Sequence, residues 1–315
     1  MLAPIRPLFA GHLGTERARE PPPLASVPST IALDSGRVPG RCARDGPSAP
    51  PENKVRPAVF ERTVAKIRLR KLHAPSMTNL LVNVDHVGTL RNARRAEVPD
   101  PVRAAARCEH AGADGIVFHL REDRRHIKER DVRLLRQTVE GKLDFELSTD
   151  EEVVSICCDV GPDLATLVPE RREEVTTEGG LDVRAGGDRL SSTVARLFDA
   201  GVEQVSLFVD PVPAQIEAAA ATEANCVELH TGDFAEAATE EARRTEAKRL
   251  ARAAETAHDA GLRVHAGHGL NYRNVSLFQE AVPHVAEVSI GFAIMARAVM
   301  VGMDQAVRDM RSIIE

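Results

Sequence analysis

Eight short apolar runs, separated by helix-favouring stretches, recur after Met77, and this repeat constrains the fold more than any other feature of the chain. The runs are LLVNVDH (80–86), GIVFHL (115–120), LDFELS (143–148), LATLVP (164–169), QVSLFVD (204–210), CVELHTG (226–232), RVHAGHG (263–269) and EVSIGF (287–292). Apolar runs that alternate with amphipathic stretches are typical of βα units, which build a parallel sheet. Three of the intervening stretches end in Ala-Gly, at Gly112, Gly201 and Gly261, where glycine permits the left-handed turn that closes a helix.

The number and spacing of these units predict an α/β protein with a (β/α)8 (TIM) barrel over residues 77–315. Eight strands, each followed by a helix, within about 240 residues match the usual size of this barrel. A doubly wound open sheet is less consistent with the sequence, because no Gly-x-Gly-x-x-Gly motif follows the first run. Extra helices are expected, since the connection between the sixth and seventh runs contains a helix-favouring stretch over residues 239–258.

Residues 1–76 differ in composition from the rest of the chain, with 12 of its 19 prolines and an excess of Arg and Lys over Asp and Glu. Dense proline breaks helices and strands, and the segment has little periodic apolar sequence, so we predict a disordered extension. Two alternatives stay open at this stage. The segment could be an Arg-rich transit peptide, or the true start could be Met77, directly before the first strand-like run.

Composition excludes several classes of protein. The net charge is −6 and the chain after residue 76 is acidic, which argues against a nucleic-acid partner because phosphates need clustered Lys and Arg. No stretch approaches the roughly 18 consecutive apolar residues of a membrane span. The five cysteines are an odd number without zinc-ligand spacing, so we expect reduced thiols and a cytoplasmic location.

Polar residues lie at the ends of five of the eight runs, where a barrel of this kind carries its chemistry. They are Asn83, Asp85 and His86; His119 and Arg121, followed by His126; Glu146; Glu228 and His230; and His265 and His268. Burying an ionisable group in an apolar barrel costs free energy that a structural role alone seldom justifies. The set therefore predicts an active site at the carboxyl ends of the strands.

The positions of three of these residues favour acid–base chemistry. His119 and Glu146 belong to adjacent strands, which lie about 5 Å apart, so that each side chain can shift the pKa of the other. His268 lies on the seventh strand, across the mouth of the barrel. Groups on opposite walls of a substrate suit sequential proton transfers and dehydrations.

Two glycine-containing segments predict phosphate binding. Residues 266–269 (AGHG) follow the seventh strand, and residues 289–292 (SIGF) lead from the eighth strand into a helix. Glycine lets backbone N–H groups approach an anion, and a helix N-terminus adds a favourable dipole. The expected ligands are therefore phosphorylated small molecules.

Two other functions stay open from the residues alone. A metal-dependent hydrolase or lyase could use His119, Glu146, His230 and His268 as ligands, because imidazole and carboxylate groups suit zinc or manganese. A non-catalytic phosphate-sugar binding protein would need no acid–base set, and the concentration of His and Glu residues disfavours it.

Seven motifs, in order along the chain, resemble the pyridoxine 5′-phosphate synthase family. They are NVDH (83–86), TLRNAR (89–94), HLREDRRHI (119–127), VPE (168–170), EVTTEGGLD (174–182), ELHTG (228–232) and AGHGL (266–270). Nothing in residues 1–76 resembles the family. The resemblance implies a homo-octameric (β/α)8 enzyme of vitamin B6 synthesis that works without a metal or redox cofactor. It would join 3-amino-2-oxopropyl phosphate to 1-deoxy-D-xylulose 5-phosphate.

The resemblance also implies residue roles, carried over by matching motif. His119 and Glu146 would accept protons, and His268 would donate one. The aminoketone phosphate would be held by Asn83, Arg94, Gly269, Gly291 and Phe292. The pentulose phosphate would be held by Asp85, His86, Arg121, His126 and Thr176.

Phe292 departs from the family pattern, which commonly has histidine at this position. If the site uses the backbone N–H, phenylalanine keeps the donor. If the family uses the imidazole, affinity for the aminoketone phosphate should fall by up to about 1.5–3 kcal/mol, the size of a charged hydrogen bond.

Overall fold

The computed structural model describes residues 78–170 and 179–315, which form a closed barrel of eight parallel strands in chain order. The strands are β1 (Asn79–Asn83), β2 (Gly115–His119), β3 (Lys142–Leu147), β4 (Leu164–Leu167), β5 (Gln204–Val209), β6 (Cys226–His230), β7 (Arg263–Gly267) and β8 (Val285–Ile290). Pairing of β1 with β8, with Asn79 opposite Glu287, closes the barrel. Each predicted run overlaps one of these strands, within two residues at its start, so the barrel prediction is confirmed.

Eleven helices accompany the strands in the described part of the chain. They are α1 (Asp85–Asn92), α2 (Pro101–His110), α3 (Glu129–Thr138), α4 (Glu151–Val160), α5 (Val183–Asp199), α6 (Pro213–Ala221), α7 (Gly232–Glu236), α8 (Glu240–Asp259), α9 (Val275–Ala281), α10 (Phe292–Val301) and α11 (Met303–Ile314). The helices α1, α7 and α10 are additional to one helix per strand, and they directly follow β1, β6 and β8. The expectation of extra helices is confirmed.

Local sequence explains where several helices begin and end. Asp150 caps α4 by accepting hydrogen bonds from the N–H groups of Glu152 and Val153. Thr239 caps α8 in the same way, so the predicted helix over 239–258 begins as expected. The three Ala-Gly endings adopt positive φ values, as predicted, of 106°, 94° and 85° at Gly112, Gly201 and Gly261.

The apolar core lies between the barrel and its helices and is built mainly from Val, Leu, Ile and Ala. The barrel interior is more polar. At its amino-terminal end the Glu287 carboxylate accepts hydrogen bonds from Lys142 Nζ (2.7 Å) and from Arg263 (2.7 Å). One layer higher, Thr166 Oγ1 donates to Asp144 Oδ1 at 2.9 Å. These polar and charged side chains fill the barrel near the amino-terminal ends of its strands and leave the carboxyl-terminal end open.

Two predictions fall outside the described residues, namely the disordered extension over 1–76 and the ligand role of Thr176. In the described ranges, no helix is long and apolar enough to cross a membrane.

Candidate active site

A cavity of about 810 Å³ opens at the carboxyl ends of the strands. Eleven of the thirteen predicted site residues line it: Asn83, Asp85, His86, His119, Arg121, His126, Glu146, His268, Gly269, Gly291 and Phe292. Side chains that leave the sheet at its carboxyl edge converge because all eight strands run in the same direction. The structure therefore gathers residues from β1, β2, β3, β7 and β8 around one cavity.

Hydrogen bonds at the end of β1 join it to its neighbours. Asn83 Oδ1 accepts from the N–H of Asp85 (2.9 Å), and Asn83 Nδ2 donates to Glu146 Oε2 (3.4 Å). Asp85 Oδ1 accepts from the backbone N–H of His119 at 2.9 Å. Asn83 and Asp85 thus fix the positions of residues on β2 and β3.

His119 is buried at the end of β2, opposite Glu146 in the strand register. The sequence predicted that these two side chains couple. In the structure the His119 ring instead contacts the carboxylate of Glu170, with 2.7 Å between Nε2 and Oε1. Glu170 lies just beyond β4 and was noted in the sequence only as part of a motif.

Glu146 faces a second acid, Glu228 of β6. Burial and the charges of Glu228, Asp85 and Asp144 raise the pKa of Glu146 well above its usual range, although the Asn83 hydrogen bond lowers it. Burial, Asp144 and Glu287 raise the pKa of Glu228 to about 8. Glu228 is therefore poised to exchange protons near neutral pH, and the neutral form of Glu146 is favoured relative to that of an exposed glutamate. Glu228 also lines the cavity. Its position near the end of the sixth apolar run had indicated that it could belong to the site.

His268 follows β7 in the left-handed backbone region, with φ at 67°. Its Nδ1 lies 3.3 Å from His230 Nε2, and His230 Nδ1 lies 3.0 Å from Asp210 Oδ1. Burial and the neighbouring His230 and His86 lower the pKa of His268 to about 4. The ligand-free imidazole is therefore neutral at pH 7.

The helix α10 begins at the predicted phosphate turn. Gly291 precedes it, and Phe292 is its first residue, 70% exposed, with its ring 5.4 Å from that of His86. The first N–H groups of a helix have no intrahelical partner and point outward. A Cβ on Gly291 would lie 3.0 Å from Asn83 Cβ, so the turn packs closely against β1.

The opposite side of the cavity carries basic and imidazole groups. Arg121 is buried, with its Nε 3.9 Å from Glu170 Oε2. His126 Nδ1 accepts a hydrogen bond from the N–H of Ile127 (3.0 Å). Burial outweighs the Asp85 charge and lowers the pKa of His126, and likewise that of His86. Among the described residues, the buried Nδ1 of His86 has no hydrogen-bond partner.

Arg94 is the one described residue of the predicted set that does not line the cavity. It is exposed in the turn after α1. Its ligand role was implied by the family resemblance, and α1 carries the chain outward from the end of β1.

The only group of three metal-ligating side chains that the described ranges bring together is Asp85, His119 and His126, with ligand atoms within 4.8 Å of one another. It shares only His119 with the ligand set predicted for a metal-dependent enzyme. A carboxylate and two imidazoles fit a zinc-type ion chemically, yet Asp85 and His119 are already bonded within the protein.

Comparisons with known proteins agree on the family. The family described as "Pyridoxal phosphate biosynthesis protein PdxJ" matches residues 80–315. The pyridoxine 5′-phosphate synthase of Salinibacter ruber is 81% identical over 236 residues, which cover 75% of this chain and 97% of that protein. The enzyme of the same name from a Synechococcus strain is 55% identical over 235 residues, covering 75% of this chain and 98% of that one.

Solved structures of low sequence identity share the fold alone. A structure titled KGPDC from Streptococcus mutans is 15% identical, with a TM-score of 0.52, and covers 76% of this chain and 97% of its own. A tryptophan synthase chain from M. tuberculosis is 12% identical at the same TM-score, covering 76% of this chain and 93% of its own.

Proposed function

Because this chain belongs to the PdxJ family of pyridoxal phosphate biosynthesis proteins, we propose that it is a pyridoxine 5′-phosphate synthase. The observation that carries the proposal is the 81% identity to a protein of that name over 97% of its length. The cavity supports it independently, since it combines acid–base groups with a helix N-terminus suited to phosphate.

The reaction condenses 3-amino-2-oxopropyl phosphate with 1-deoxy-D-xylulose 5-phosphate. It yields pyridoxine 5′-phosphate, inorganic phosphate and water. Ring closure requires imine formation, removal of protons next to carbonyl carbons and protonation of departing oxygens, all of which are acid–base steps. We propose no metal and no cofactor for these steps.

We assign the proton transfers to three groups on different walls of the cavity. Glu146 accepts a proton in its ionised form, and Asn83 Nδ2, at 3.4 Å, favours that form by donating to it. His119, which lies between Glu146 and Glu170 in the cavity wall, accepts a proton from the substrate. His268 donates a proton from its imidazolium form. The phosphates of a bound substrate favour this form because an anion stabilises an imidazolium.

The two phosphates occupy opposite sides of the cavity in this proposal. The aminoketone phosphate binds at Gly269, Gly291 and the N–H of Phe292, with Asn83 beside them. Arg94, which is exposed outside the cavity lining, is proposed as a further ligand on the family resemblance alone. The pentulose phosphate binds near Asp85, His86, Arg121 and His126, with Thr176 completing the site. The buried Nδ1 of His86, which has no hydrogen-bond partner among the described residues, is available to a phosphate ligand.

We further propose that the chain self-associates, as a homo-octamer, in a cytoplasmic setting. Helices α1 and α10 pack together and carry large exposed apolar side chains, including Leu90, Val299 and Met300. Such a patch is typical of a protein interface. Cys108, Cys157 and Cys226 are buried thiols, which suits a reducing compartment.

The test is a mixing assay of the full chain with both phosphates, in which pyridoxine 5′-phosphate and inorganic phosphate are followed together. Equal appearance of both products, unaffected by a chelator, is expected. A folded protein that forms neither product would overturn the proposal. Activity lost to the chelator and restored by zinc would instead favour a metal-dependent enzyme at Asp85, His119 and His126.

A further inference from the structure

Glu170 is buried against the ring of His119 at the edge of the cavity. The two side chains are 6% and 5% exposed, and Nε2 of the imidazole lies 2.7 Å from Oε1 of the carboxylate. Asn83 bonds to Glu146, and Asp85 bonds to the backbone of His119. Among the described residues, Glu170 is therefore the hydrogen-bond partner of the His119 ring.

The second oxygen of Glu170 is also held. Oε2 accepts a hydrogen bond from the backbone N–H of Glu122 (3.1 Å), and Arg121 Nε lies 3.9 Å away. Burial favours the neutral carboxyl, but the hydrogen bonds from the His119 ring and the Glu122 N–H, together with the charge of Arg121, hold the pKa of Glu170 below its usual value. Glu170 is therefore an ionised acceptor with both oxygens fixed.

An ionised acceptor selects one form of the imidazole. A carboxylate only accepts hydrogen bonds, so the neutral His119 ring places its proton on Nε2. The lone pair is then on Nδ1, which is the nitrogen left to take a proton from a substrate. Asp85 holds the same residue through its backbone N–H, so that both the ring and its main chain are anchored.

We propose that Glu170 is a positioning residue for the reaction, which orients His119 and fixes its Nε2–H tautomer so that Nδ1 serves as the base. This inference rests on the proposed function for its catalytic consequence. The tautomer itself can be measured without turnover. The arrangement matches the logic of a histidine base oriented by a third group.

The kinetic test compares Glu170→Gln with Glu122→Gln. The amide that Glu170→Gln introduces can donate as well as accept, so it no longer selects one tautomer at nearly unchanged volume. We expect kcat to fall about 100-fold, the usual scale for a general base, with KM changed less than about threefold. The control variant Glu122→Gln makes the same change of carboxylate to amide near the same edge of the cavity. The Glu122 side chain accepts a hydrogen bond from Ser148 Oγ, and this variant should keep the wild-type kcat.

The structural test is solid-state ¹⁵N NMR of histidine-labelled full-length protein, with His119 assigned from the spectrum of His119→Gln. The wild type and Glu122→Gln should show the Nε2–H form at pH 8, and Glu170→Gln a mixture of both tautomers. If Glu170→Gln fails to fold, the wild-type spectrum alone decides.

Separate outcomes distinguish the two proposals. A wild-type Nδ1–H tautomer, or a Glu170→Gln enzyme with wild-type kcat, would overturn the positioning role. Absence of product with wild-type enzyme would overturn the proposed function, while the spectrum would still show whether Glu170 selects the tautomer.

Discussion

His230 Nε2 lies 3.3 Å from His268 Nδ1, and the carboxylate of Asp210 contacts the other side of the His230 ring. This series of side-chain contacts joins the ends of β5, β6 and β7. If Asp210 accepts from His230 Nδ1, then His230 Nε2 accepts from His268 Nδ1, and the outer Nε2 of His268 faces the cavity without a proton until the ring is charged.

The first prediction concerns the charging of His268. Because its pKa is lowered to about 4, mainly by burial, anion binding must draw a proton from solvent at pH 6–7. Sulfate affinity, measured by calorimetry, should therefore rise as pH falls from 7 to 5. The rise should be smaller in His268→Gln, which lacks this imidazole. An identical pH dependence in the variant would show that His268 stays uncharged when the anion binds.

The second prediction concerns the acid pair. Glu146 must be ionised to accept a proton, and the Glu228 charge opposes this. The acid limb of the kcat/KM profile should therefore lie above the ordinary carboxyl range. Glu228→Gln removes the neighbouring charge and should move that limb to lower pH, whatever its effect on the maximal rate. A limb that stays in place would exclude coupling between the two acids. As a reference, Glu146→Gln should lower kcat by about 100-fold or more.

The third prediction separates backbone from side chain at the phosphate turn. Phe292 is largely exposed and begins α10, so its N–H, which histidine would share, is the expected donor. Phe292→His should change KM for the aminoketone phosphate by less than about threefold. Gly291→Ala introduces a Cβ that meets Asn83 at 3.0 Å and should raise KM by about tenfold, equal to about 1.4 kcal/mol. A large fall in KM with Phe292→His would assign a ligand role to the imidazole.

The fourth prediction concerns stability at the closed end of the barrel. Glu287→Ala leaves the largely buried Lys142 without its carboxylate and should lower the free energy of unfolding by about 3 kcal/mol. Glu240→Ala, which breaks an exposed pair with Arg244, should cost less than about 1 kcal/mol. Equal losses in urea titrations of the two variants would contradict the importance of burial.

The same pair of variants has a pH signature. Burial raises the pKa of Glu287, but His265, Lys142 and Arg263 together lower it by a larger amount. The pKa of Glu287 in the folded protein therefore lies below its ordinary value. Such a group contributes stability above its unfolded pKa and loses it as pH falls through the folded value. The difference between wild type and Glu287→Ala should therefore shrink below about pH 4, near the ordinary pKa of a glutamate side chain.

The strands, the helices and most cavity residues could be predicted from the order of residues along the chain. Apolar periodicity and glycine turns are local properties, so runs such as 115–120 became β2 and the Ala-Gly at Gly112 ended α2. The direction of parallel strands then placed Asn83, Glu146 and His268 at one end.

The choice of partners could not be predicted in this way. His119 and Glu146 are neighbours in register, as expected, yet the His119 ring contacts Glu170 and Glu146 contacts Asn83. Arg94, close in sequence to the site, lies outside the cavity lining. Barrel closure, which pairs Asn79 with Glu287, sets how far each strand is shifted along its neighbour. Residue order therefore specified which groups reach the mouth of the barrel, whereas contacts between residues far apart in sequence decided which of them share a hydrogen bond, because bonding geometry depends on shifts of about an ångström that no local pattern encodes.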